Sequence, residues 1–139
     1  MSGPLHLLRP YTGWDVEEYT RDAAAAYVAE LRRERGDFEF GTLTLRRPNR
    51  AEELVGGSVY FCKNGVTLFR MPFLRLHPSA YHVWVLMRPE VYYVASRHVG
   101  MVRGWRYLLD ADKPPDLDGV DRAKPAPRMP CNLRETGLV

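Results

Sequence analysis

Of 139 residues, 45 % are hydrophobic and 27 % charged, a balance that suits one packed domain rather than a disordered chain. A formal charge of +3 permits an anionic partner without requiring one. Two cysteines, Cys62 and Cys131, lack metal-ligand spacing and point to a reducing compartment; with no secretory core or membrane-length apolar window in the sequence, a cytoplasmic protein is expected.

The apolar run at residues 5–8 reads as a first strand that ends before Pro10. Asp15, with Glu18 in the matching position downstream, makes a capping-box-like start and predicts one long helix over residues 16–35. Tyr19, Ala23, Ala26, Tyr27 and Leu31 then share a face that can lie on a sheet, and Gly36 stops the helix. Arg32, Arg33 and Arg35 match the negative end of its dipole. The alternation in FEFGTLTL predicts a strand over 38–45 with Phe38, Phe40, Thr42 and Thr44 on one side. Arg46, Arg47 and Arg50 make the next loop basic, and a short helix over 51–55 ends at Gly56-Gly57. Such a glycine pair turns the backbone sharply, or lets a ligand approach main-chain N–H groups.

The chain is organised around residues 58–75, SVYFCKNGVTLFRMPFLR. Asn64-Gly65 suits a type I′ turn, which needs positive φ at both central positions. The resulting register pairs Lys63 with Val66, Cys62 with Thr67, Phe61 with Leu68, Tyr60 with Phe69 and Val59 with Arg70. Val59, Phe61, Leu68 and Arg70 are then expected on one face, and Tyr60, Cys62, Thr67 and Phe69 on the other. Both faces are apolar, so the hairpin should lie inside a barrel or under a helix, and Arg70 is the odd residue. A buried guanidinium needs a carboxylate, a cluster of carbonyls or an anionic ligand.

Further strands are predicted over 81–88, 91–95 and 104–109, after which the chain becomes rich in turns and prolines. The connections are too short for parallel crossovers, so the sheet should be mostly antiparallel. The expected fold is an α+β domain over residues 1–112, with a curled, barrel-like sheet, one long N-terminal helix and one short helix. A proline-rich tail over 113–139 follows, packed on the surface or partly disordered.

For function, the positive signal is a constellation: Arg46, Arg47, Arg50, Arg70, Arg97, Arg103 and Arg106 are interleaved with Tyr60, Trp84, Tyr92, Tyr93 and Trp105. Arginine supplies phosphate contacts and aromatic rings stack bases, although each tryptophan by itself also reads as core. No nucleophile elbow, Walker loop or zinc-protease helix is present in the sequence. His6, His77, His82 and His98 stand singly, and Cys62 has no neighbouring cation on its own face to lower its pKa.

Four stretches, LHLLRP, RPNRAEELVGGSVYFCKNGVTLFRMPFLRL, GWRYLLDADKPPDL and LRETGLV, together resemble a bacterial family catalogued as domain of unknown function 1489. Members commonly carry tryptophan, valine, isoleucine, lysine and glycine where this chain has Phe61 to Gly65, and glutamine where it has Met71. The order of helix, glycine pair, hairpin and arginine is also similar in pattern to small barrels of the PUA and ASC-1-homology (ASCH) type. That likeness implies a PUA-like sheet that binds RNA or modified nucleosides. For the amidohydrolases of the ASC-1-homology group it implies a lysine, a threonine and a carboxylate, whose nearest equivalents are Lys63, Thr67 and Glu53; Lys63 and Thr67 fall on opposite faces of the hairpin.

The combined expectation is a non-catalytic RNA- or nucleotide-binding module whose site comprises Arg46, Arg47, Arg50, Gly56, Gly57, Tyr60, Arg70, Trp105 and Arg106. No catalytic residue, metal or cofactor is assigned, and no membrane contact is expected. The alternatives are a small amidohydrolase-like enzyme acting on modified nucleosides, and a subunit that binds a protein partner through its tail.

Overall fold

In a computed structural model, which describes residues 3–117, strand β1 (His6–Pro10) leads into helix α1 (Arg21–Arg35), strand β2 (Phe40–Thr44) and a 3-10 turn at Ala51–Leu54. The hairpin strands β3 (Ser58–Lys63) and β4 (Val66–Pro78) follow, then β5 (Val83–Met87), β6 (Tyr92–Tyr93), β7 (Arg106–Leu108) and a second 3-10 turn at Asp110–Asp112. The strands form one seven-stranded sheet in the order β2-β5-β4-β3-β1-β7, with β6 beside β4. All its pairs are antiparallel except β1 with β3, between which the chain makes a crossover through α1 and β2. The fold is thus α+β with a mostly antiparallel sheet. Among the described residues no helix is long and apolar enough to cross a membrane.

The helix begins later than the capping-box signal predicts. Thr20 is the N-cap and its hydroxyl accepts the Ala23 N–H at 3.1 Å, so residues 16–20 stay outside α1. Aromatic burial explains the difference. Tyr11 and Trp14 are buried against Phe69, Tyr11 also against Tyr19, and Trp14 against Phe40 and Phe61. The Tyr19 hydroxyl donates to the Trp14 carbonyl at 3.0 Å, and that of Tyr11 to the Thr20 carbonyl at 3.0 Å. Burying these rings outweighs an exposed cap. Of the expected helical face, Tyr19, Tyr27 and Leu31 do pack against the core, but Ala24, Ala25 and Val28 are the residues buried in it, and Ala26 is exposed.

The hairpin turn forms as expected, with Asn64 at φ 55° and Gly65 at φ 77°. Its register holds only for the first pairs, Lys63 with Val66 and Cys62 with Thr67; Phe61 then pairs with Phe69, Tyr60 with Arg70 and Val59 with Met71. Leu68 is the extra residue of a β-bulge, which reverses every following side chain. Phe69 and Met71 thereby enter the core and Arg70 leaves it. Phe69 stacks on Phe61 at 4.9 Å, and both rings are fully buried. The carbonyl of Leu68 is satisfied by the N–H of Val94 at 3.1 Å and by Nε of Arg21 at 2.8 Å, so the first residue of α1 pins the bulge.

β4 is a single 13-residue strand that pairs first with β3 and then with β5. α1 covers the inner face, where Leu7, Val59, Phe61, Phe69, Met71, Val85 and Met87 form the main core. On the outer face Leu8, Tyr60, Val94 and Leu108 form a smaller one. No backbone ladder joins β2 to β7 among the described residues, so the sheet curls without closing. Side chains bridge the gap: Arg9 Nη2 donates to the Leu43 carbonyl at 3.1 Å, and Trp105 Nε1 to the Arg46 carbonyl at 2.9 Å. Of the tail expected from residue 113, Ala95 N–H donates to Pro115 O and Leu117 N–H to Tyr93 O, each at 2.9 Å. The rest of it lies outside the described residues.

Candidate anion-binding surface

Three residues of the expected site, Arg46, Arg50 and Trp105, gather where the loop after β2 meets β7. Arg46 lies over the ring of Trp105 at 4.2 Å, and its Nη2 donates to the Trp105 carbonyl at 3.3 Å. Arg50 lies over Tyr107 at 5.6 Å, its backbone N–H donates to the Tyr107 hydroxyl at 3.0 Å, and its guanidinium holds Glu53 through two bonds of 2.9 and 2.7 Å. Arg46, Arg47 and Arg50 are exposed, whereas Trp105 is buried and meets Tyr107 edge-on at 4.9 Å. The aromatic pair is a base on which guanidinium groups rest. Arg106, exposed on β7, donates to the Val99 carbonyl.

Arg70 belongs to a different cluster. Its Nε and Nη2 reach the Asp116 carboxylate at 2.9 and 2.8 Å, Nη1 donates to Ser58 Oγ at 2.9 Å, and the group lies over Tyr92 at 4.4 Å. The need that the sequence poses is thus met by the chain's own carboxylate, whose hydrogen bonds hold the guanidinium pKa above its ordinary value. Tyr60 faces the same side of the sheet and is buried, with burial pushing its hydroxyl up to about 12. It packs edge-on to His6 at 5.3 Å and presents no open ring to a base.

The glycine pair serves chain packing. Gly56 has φ 90°, and a Cβ on Gly57 would lie 2.2 Å from the Leu5 carbonyl oxygen. The Gly57 N–H is directed to the Leu54 carbonyl at 2.8 Å, which is the turn reading rather than the ligand one.

No local pattern points to a partner for His6, because Asp110 stands at the opposite end of the described chain. Nδ1 accepts the Ser58 backbone N–H at 3.0 Å, so Nε2 carries the proton and donates to Asp110 Oδ1 at 2.7 Å. Burial holds the imidazole pKa below its ordinary value, and the bond from His6 lowers that of Asp110. This is not a nucleophile relay: a backbone amide occupies the nitrogen that would have to face a hydroxyl, and Ser58 Oγ accepts from Arg70 instead. The amidohydrolase-like residues are each held elsewhere. Thr67 Oγ1 donates to Ala95 O at 2.8 Å and accepts from Arg97 N–H at 3.0 Å, Glu53 is held by Arg50, and Lys63 lies over Tyr19 at 4.9 Å. Burial raises the pKa of the Cys62 thiol, the reverse of what a nucleophile needs. Among the described residues no group of three or more His, Cys, Asp and Glu residues is placed to hold a metal ion.

A family model described as "Protein of unknown function (DUF1489)" matches residues 8–139. No curated protein and no solved structure matches the chain.

Proposed function

We propose, from the premise that the chain belongs to the domain of unknown function 1489 family, that it is a non-catalytic binding module for single-stranded RNA or nucleotide phosphates. The observation that carries this reading is the exposed guanidinium of Arg46 resting on the Trp105 ring at 4.2 Å, beside Arg50, whose pair with Glu53 is half exposed on both sides and can be displaced by a phosphate. A guanidinium resting on a ring is partly pre-oriented, so less conformational entropy is lost when its N–H groups meet a phosphate. Arg47 adds a further exposed cation in the same loop, and the net charge of +3 favours the encounter. Arg70, engaged by Asp116 and Ser58, belongs to the fold in this reading and does not touch phosphate. The working compartment is the cytoplasm, in keeping with the free, buried thiol of Cys62.

The test is fluorescence polarisation of a labelled oligouridine as NaCl is raised, comparing the unmodified chain with the double variant Arg46→Ala, Arg50→Ala. Binding should weaken with salt, and the logarithmic slope should shrink by about 0.7 for each phosphate that the variant no longer neutralises. Absence of binding at low salt, or a slope that the double variant leaves unchanged, would overturn the proposal.

A further inference from the structure

Arg9 lies near the end of β1, paired with Phe61 in the parallel ladder, and reaches toward the gap that β2 leaves open. Nη2 gives one hydrogen to the Leu43 carbonyl at 3.1 Å. Nε and Nη1 are buried with no hydrogen-bond partner among the described residues. On the facing strand, the hydroxyl of Thr42 is likewise buried and unpartnered. Leaving such groups buried and unanswered costs about 1–3 kcal/mol each, so their gathering at one place is a signal. Arg9 and Thr42 line the same cleft, about 560 Å³ in volume, whose other walls include Trp14, Tyr27, Phe38 and Phe40. Arg35, the last residue of α1, lies at the cleft over the ring of Phe38 at 5.6 Å and adds a second positive charge, while Glu39, also on the cleft, is paired with Arg75 at 2.6 Å.

We propose that this cleft binds a small molecule carrying an oxyanion, carboxylate or phosphate, on a flat apolar body, with Arg9 and Thr42 holding the anion and the aromatic wall holding the body. The donor set fits such a group. Nε, Nη1 and the Thr42 hydroxyl are closed to solvent behind the cleft wall, so the Arg9 side chain turns toward the cleft as the anion enters. The second hydrogen of Nη2 then forms a two-pronged edge with whichever of Nε and Nη1 lies beside it, the geometry that a carboxylate or phosphate accepts. The remaining guanidinium N–H and the Thr42 hydroxyl then serve the other lone pairs. A volume of 560 Å³ is that of a small-molecule site rather than of a macromolecular groove. Burial also pulls down the Arg9 pKa, a penalty that a bound anion would remove. This site is separate from the loop at Arg46 and stands whether or not RNA binds there.

The experiment uses the full chain with benzoate and phenyl phosphate as probes and benzamide as the neutral control, read by isothermal titration and by ligand-observed NMR. A saturable interaction near about 1 mM is expected for probes of this size, with benzamide at least about tenfold weaker. Preference between the two anions identifies the headgroup. Thr42→Val should weaken binding by about tenfold, and Arg9→Met by about a hundredfold or more. Arg103→Ala, an exposed cation outside both the cleft and the Arg46 loop, should leave it unchanged. If Arg9→Met does not fold, Thr42→Val and the benzamide comparison still decide. No saturable binding of either anion, equal binding of benzamide, or binding indifferent to Thr42→Val overturns the proposal. So does benzoate binding that Arg46→Ala abolishes and Arg9→Met leaves intact.

Discussion

Arg70 and Arg9 lie on strands of the same sheet, separated only by β3, yet the chain treats them in opposite ways. Arg70 is turned to the outer face by the bulge at Leu68 and is met by Asp116, Ser58 and the ring of Tyr92. Arg9 reaches the cleft, keeps one bond to the edge of β2 and leaves two nitrogens unanswered. A charge is out of place in a core only until its partners are counted. The arginine that interrupts an apolar pattern is the satisfied one, and the arginine beside a proline, where no pattern is broken, is the one with unmet chemistry.

The largest expected effect is on the packing that sets this contrast. Phe69→Ala should destabilise the fold by about 3–5 kcal/mol in urea unfolding, because it removes a fully buried ring stacked on Phe61. Next comes Arg70→Ala, expected to cost about 2 kcal/mol, since it deletes hydrogen bonds to a charged partner that is itself half exposed. Arg9→Met should differ in sign: replacing unanswered donors by an apolar chain of similar length should leave stability unchanged or raise it by up to about 1 kcal/mol. If both arginine variants lose the same stability, the contrast between them fails.

The smallest effect concerns pH. Burial holds the His6 pKa below 6.5 when folded, so between that lowered value and 6.5 the unfolded chain binds the extra proton. Stability is therefore full above about 6.5 and declines as pH falls below it, by at most about 1.4 kcal/mol per pH unit for one group. Melting temperatures across this window should show the slope, and His6→Gln should flatten it. A fold that grows more stable as pH drops through the window would contradict the neutral tautomer assigned to His6.

Local chemistry made much of the fold legible. Asn64-Gly65 carried its turn, the apolar runs around Leu7, Val59, Phe69 and Val85 carried their strands, and the glycine pair carried the entry into β3. What escaped was decided by partners distant in sequence. The bulge exists because Phe69 and Met71 pack inward and Arg21 caps the freed carbonyl of Leu68, and none of this shows in the alternation of the hairpin itself. The helix start at Arg21 yields to the burial of Trp14. The pairing of β1 with β3, and of His6 with Asp110, has no local signature at all. Of the expected site, Arg46, Arg50 and Trp105 do meet, while Arg70, Tyr60 and the glycines serve the fold. Thr42 shares a side of β2 with Phe40 in the alternation itself, but its significance depends on Arg9 across the gap.

The position of β1 between β3 and β7 bears on how the molecule is made. Both neighbours of the first strand are synthesised after it, one from the middle of the described chain and the other near its end. The β3–β4 hairpin closes locally through a two-residue turn and can form on the microsecond scale, whereas the apolar side chains of β1 have no completed ladder until β7 has emerged. Pairings this distant slow folding. On the ribosome, the segment carrying Leu7, Leu8 and Arg9 appears before both of its partner strands and must wait for the later of them to be enclosed.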